Sequence, residues 1–125
     1  MIFGRTLSEM LGIFACSLSL TWMLELPLAH LWHFSRRQMV FVLLVNVLTN
    51  PAAVFCASLA TWYFPHLPTV LLQLPSEAIV ILAEGELYRR LHPPPSRPRL
   101  FSLVANGFSY TAGLLIAFLF RFFYP

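Results

Sequence analysis

The sequence predicts an all-α integral membrane protein: a compact bundle of four transmembrane helices kinked by prolines, with both termini outside. Three observations predict it. The chain of 125 residues is 58% hydrophobic, with a mean hydropathy of +0.74. Only 10% of its residues are charged, where a soluble domain carries about 25%. The apolar residues also fall into four long runs separated by short linkers. So little charge cannot cover a soluble body, which excludes a soluble globular domain, a disordered segment and a basic nucleic-acid binder. The positive balance is all Arg against Glu, with no Lys and no Asp.

A hydrocarbon core about 30 Å thick takes about 20 apolar residues in a helix. The runs 7–34, 38–64, 67–91 and 100–124 meet that length, within one membrane domain over residues 1–125. Their continuity, without period-two alternation, argues against a barrel. In the first run, Ile13-Phe14-Ala15-Cys16 is a poor cleavage box, with a bulky Phe14, a preceding acid at Glu9 and apolar sequence beyond. The run is therefore read as a true span. The second begins after Ser35-Arg36-Arg37. The third begins after Pro65-His66-Leu67-Pro68 and stops before the three prolines Pro93, Pro94 and Pro95, which cannot continue a helix. There is no repeat of 20–50 residues.

Arginine placement sets the expected orientation. Arg36 and Arg37 lie in the first linker; Arg89, Arg90, Arg97 and Arg99 flank or lie in the third. Only Arg5 and Arg121 lie on the other side. The positive-inside rule then puts linkers one and three in the cytoplasm of a bacterial inner membrane, with a multi-pass chain. Trp22, Trp32, Trp62, Tyr63, Tyr88 and Tyr124 fall mostly near span ends, as an aromatic belt does.

Acids and amides inside the spans are the anomaly. Glu25, Glu77, Glu84, Asn46, Asn50 and Asn106 lie within them, and no Lys or Arg lies deep in any. Carboxylates in hydrocarbon cost several kcal/mol and usually mark function. Each helix puts its polar and small residues on one face by the i, i+3, i+4, i+7 rule: Ser17, Thr21 and Glu25; Asn46, Asn50 and Ala53; Gln73, Glu77 and Glu84; Asn106, Ser109, Tyr110 and Gly113. These faces predict one internal polar chamber, open toward the cytoplasm. Pro27, Pro51 and Pro75 each sit within two residues of a polar member. A proline frees a backbone carbonyl on the preceding turn, and such backbone is tolerated where it lines a cavity.

Carboxylates and amide oxygens without a cationic side chain complement a cation: a proton, a metal ion or a small organic cation. Glu25, Asn46, Asn50, Glu77, Glu84, Asn106, Ser109 and Tyr110 are the candidate binding residues. Glu25, Glu77 and Glu84 are the candidate ligands for a hard metal ion. No cofactor is evident beyond such a cation. Transport by four helices would call for a homodimer or a partner membrane protein besides the lipid bilayer. The alternative is a non-transporting accessory or scaffold subunit of a larger membrane complex. There the acids and amides only tie helices together, each bond giving about 0.6 kcal/mol.

Other chemistry is weaker. His30 and His33 sit beside Trp32 as interfacial anchors. Cys16 and Cys56, with no CxxC, are packing residues or a disulfide pair near the outer surface. Glu84-Gly85-Glu86-Leu87-Tyr88-Arg89 resembles the Glu-Glu-x-x-x-Arg motif of intramembrane CAAX-type proteases. The acids are not adjacent, however, and the later span has no His, so no enzyme is expected. In size and span number the chain resembles the small multidrug-resistance transporters, which carry a key Glu in helix one. That likeness is architectural, and the residues around Glu25 do not match.

Overall fold

Residues 3–124 of the computed structural model are described. Four helices follow one another: α1 (Leu7–Leu31), α2 (Arg36–Tyr63), α3 (Thr69–Arg89) and α4 (Pro98–Phe123). Local chemistry starts them. Thr6 with Glu9 and Ser35 with Gln38 form capping boxes at α1 and α2, satisfying orphan backbone donors reciprocally. α4 starts with Pro98 in its first turn, where a missing N–H costs nothing. Pro27, Pro51 and Pro75 lie inside α1, α2 and α3, which continue past them.

Three of the four helices, α1, α2 and α4, are long and apolar enough to cross a membrane, with hydropathies of 1.5, 2.0 and 1.7. The third expected span is not among them. α3 has 21 residues and carries Glu77, Glu84, Glu86 and Arg89, too much charge for an independent span. It gains its place by packing. α1 packs on α2, α2 on α3, α3 on α4 and α4 on α1. Among the described residues the diagonal pairs do not pack, so the helices form a four-sided ring around a central space. α1–α2 and α3–α4 are two hairpins of the same sense, each entering and leaving at the same end of the ring.

The ring is filled at one end only. At the arginine-bearing end, Phe34, Tyr88 and Phe101 meet, with Phe34 and Phe101 ring centres 4.4 Å apart and those of Tyr88 and Phe101 5.6 Å apart. Ala29, Val42 and Ala105 complete this core. The linkers are stitched over it. Trp32 Nε1 donates to the Ser96 carbonyl at 2.9 Å, and Gln38 Nε2 to the Pro93 carbonyl at 3.0 Å. α3 and α4 cross closely here, so that a Cβ on Gly85 would stand 3.2 Å from Arg99 Cα. Backbone cannot yield as a flexible side chain does. Gly85→Ala is therefore expected to lower stability in detergent by about 1 kcal/mol, the low end of overpacking costs. A melting temperature equal to or above wild type would contradict this close crossing.

Candidate functional site

The acids and amides meet in the middle of the ring, and they do so crosswise. Asn46 Nδ2 of α2 donates to Glu25 Oε2 of α1 at 2.7 Å. Asn106 Nδ2 of α4 donates to Glu84 Oε2 of α3 at 2.7 Å. Each glutamate thus has the amide of its own hairpin. Its other oxygen meets a hydroxyl of the opposite hairpin: Glu25 Oε1 with Ser109 at 3.3 Å, and Glu84 Oε1 with Thr49. Glu25 and Glu84 are both fully buried, Asn46 and Asn106 nearly so. Each Asn also donates back to its own helix, to the Val42 and the Ser102 carbonyl respectively. These second bonds lock the amide rotamers.

The crossed pattern exposes a repeat the sequence reading missed. Asn46 and Asn106 are sixty positions apart, as are Thr49 and Ser109, Phe41 and Phe101, Leu43 and Leu103, Ala52 and Ala112, and Ala57 and Ala117. Glu25 and Glu84 are fifty-nine apart. The period lies just beyond the 20–50 residue window of ordinary repeat arrays. Thr49, three residues after Asn46 as Ser109 is after Asn106, is the site residue this signal would have found. Tyr88 is another residue the sequence reading placed elsewhere. Its place near a span end suits an interfacial aromatic, but it is fully buried. Its hydroxyl stands within reach of Glu84, with Glu25 beyond, without a well-aligned hydrogen bond.

Beyond the crossed pairs the ring is hollow. A cavity of about 590 Å³ is lined by all four helices. It runs from Asn46, Glu84 and Asn106 to Arg5, Trp62, Thr69 and Ala117 at the end that holds both chain termini. This corrects the expected chamber. The mouth is at the end opposite the arginine-rich linkers, because aromatic side chains from the first linker, α3 and α4 fill the other. Asn50 and Glu77 stand in the wall. Asn50 Nδ2 donates to Thr21 at 2.8 Å, leaving its Oδ1 buried without a partner. Tyr110 Oη donates to Gln73 Oε1 at 3.3 Å, joining α4 to α3 along the cavity wall. Thr69, Gln73, Glu77, Val80 and Glu84 form one stripe down α3, with Glu77 half-buried midway along it.

Two expectations are corrected. Among the described residues no three His, Cys, Asp or Glu side chains gather as a metal-ligating group. Glu25, Glu77 and Glu84 therefore do not form one ligand set: the first and last spend their oxygens on amides and hydroxyls, and Glu77 stands two turns away along α3. Cys16 and Cys56 are both free and exposed rather than bridged. Cys16 lines a shallow groove between α1 and α4, to which α2 contributes nothing. Glu86, the remaining acid of α3, sits at the closed end and binds Arg89, Arg90 and Arg99. No family model, curated protein or solved structure matches the chain, so the functional reading stands on this geometry.

Proposed function

We propose that the chain is a four-span membrane protein that takes up a cation, a proton or a small ion, from the open end of its ring. By the positive-inside rule that end faces outward, with the N- and C-termini outside and the arginine-bearing end in the cytoplasm of a bacterial inner membrane. One observation carries the reading: a cavity lined by all four helices, with polar side chains among its apolar walls, leads past Glu77 to the buried Glu84. α3, too polar to cross lipid alone, is sheltered by α2 and α4. Glu77 and Glu84 face the cavity, where intramembrane acids are tolerated. Glu77 is the entry ligand, with Gln73, Asn50 and Tyr110 around it to orient the guest. Passage through the filled end would need rearrangement or a second subunit, so a homodimer or partner membrane protein completes the transport version.

The test is ligand-linked stability. The purified protein in nanodiscs is melted in Na⁺, K⁺, Mg²⁺, Mn²⁺ or a tetraalkylammonium salt. A bound cation at 100 times its Kd adds about 2.7 kcal/mol. Glu77→Gln should remove that gain while leaving the cation-free melting temperature within about 0.5 kcal/mol of wild type. No cation-dependent shift at all would refute uptake of a metal or organic cation.

A second reading is favoured by the saturation of the crossed pairs. Every oxygen of Glu25 and Glu84 already has a partner, as a static tie between helices requires. A non-transporting accessory or scaffold subunit would use the network in this way. It predicts that Glu77→Gln changes nothing that can be measured, and that the protein co-purifies with a larger membrane complex.

A further inference from the structure

We propose that the two hairpins build a doubled proton-binding site, with one proton held on Glu25 and one on Glu84. This rests on the uptake reading and deepens it by naming what the site itself holds. Hydrogen accounting comes first. A hydroxyl has one proton to donate. Thr49 Oγ1 lies 3.0 Å from the Val45 carbonyl, which can only accept, and also touches Glu84 Oε1. Ser109 Oγ lies 3.2 Å from the Asn106 carbonyl and 3.3 Å from Glu25 Oε1. If each hydroxyl serves its carbonyl, each contact to a carboxyl needs a proton from the carboxyl. Both contacts are satisfied when Glu84 donates to Thr49 and Glu25 to Ser109. The same pattern arises twice because the sixty-residue repeat places an amide and a hydroxyl three residues apart in both α2 and α4.

A separate observation points at a ligand between the acids. Tyr88 is fully buried, and its hydroxyl stands within reach of Glu84, with Glu25 beyond, yet forms no well-aligned hydrogen bond. Buried polar groups in folded proteins are almost always bonded. A hydroxyl that a small shift would bring into a bond with Glu84 suits a site that gains and loses protons. Its counterpart in the first hairpin is Ala29, also fully buried, so the repeat is broken where one large ring fills the space between the copies. The floor of the 590 Å³ cavity, at Asn46, Thr49, Glu84 and Asn106, gives the Glu84 proton a direct way out, and Ser109, also in the lining, connects Glu25 to the same space.

The exchange step balances simply. The carboxyl O–H bond breaks, the proton passes to solvent in the cavity, and a carboxylate remains. The facing hydroxyl then turns from its carbonyl to donate to that carboxylate, while the asparagine amide keeps its bond. Besides these two acids, the titratable groups facing the site are Tyr88 on α3 and, further out along the cavity, Glu77 and Tyr110.

Infrared spectroscopy at neutral pH, with no added cation, reads the count. The protonated-carboxyl C=O band of wild type should exceed that of the double variant E25Q/E84Q by two carboxyls. E25Q and E84Q should each remove half of that difference, and E9Q, at the exposed capping-box acid of α1, should leave the band unchanged. NMR of wild type with carboxyl-labelled Glu serves if a variant fails to fold: Glu25 and Glu84 should appear among the five glutamates as acids. A single variant that removes the whole difference would mean one shared proton and overturn the proposal. So would a double variant with an unchanged band. Because no cation is added, two acids without any cation-dependent melting shift would refute uptake of a metal or organic cation and leave the doubled proton site intact.

Discussion

Phe101→Ala is expected to lower stability by about 3 kcal/mol and to unseal the closed end. Phe101 is fully buried and touches three aromatic partners, Trp32 and Phe34 from the first linker and Tyr88 from α3. Phe→Ala changes in soluble cores cost about 3–5 kcal/mol, through lost transfer energy and the cavity left behind. In a bilayer the separated helices remain in lipid, so the transfer part shrinks and the packing part remains. The lower end of the range is therefore expected. Helix content should persist, because the capping boxes and Pro98 lie outside the hole. The measurement is chemical or thermal unfolding in a mild detergent, with Phe101→Leu as the volume-conserving control at under about 1.5 kcal/mol. A loss below 1 kcal/mol for the alanine variant would mean that the aromatic group does not hold the ring together. A water-soluble thiol reagent applied to Ser102→Cys reports the unsealing. Ser102, next along α4 and fully buried, should react faster in the Phe101→Ala background.

The four helices were legible in the sequence, and so was which face of each turns inward. Apolar runs, proline stops and the three- and four-residue spacing of polar side chains are local signals, and Glu25, Asn46, Glu84 and Asn106 share one interior as those faces require. The closed end was not legible. It depends on Phe34, which the apolar run assigns to the first span. In the structure His33 takes a positive φ of 61°, and the chain folds back so that Phe34 plugs the ring. That single backbone reversal turns a chamber expected to open at the arginine end into one that opens opposite. The crossed pairing was also hidden, because each bond joins residues far apart in sequence, Ser109 to Glu25 being the longest such link. Only the sixty-residue recurrence of Asn with Thr or Ser three positions on signals it. The polarity of α3 was visible but over-read as an ordinary span. Its acids make it dependent on its neighbours.

Asn46→Leu and Asn106→Leu follow from that recurrence and should cost about the same, about 1–3 kcal/mol each, the cost of leaving a buried polar partner unmatched. Leucine roughly preserves volume, so the loss reports the amide more than a cavity. In each variant a fully buried carboxyl loses its 2.7 Å donor and retains one hydroxyl from the opposite hairpin. The two variants therefore leave equivalent defects. Equal costs within about 0.5 kcal/mol are the signature of the repeat. The double variant is more informative. Each glutamate is tied to both hairpins, so removing both amides weakens one joined network. The combined cost should depart from the sum of the singles by more than the 0.3–0.5 kcal/mol scatter of independent sites. Strict additivity with unequal single costs would mean two unrelated hydrogen bonds. Non-additivity with equal costs would mean one clasp made twice, which is what a pair of acids held between duplicated hairpins requires.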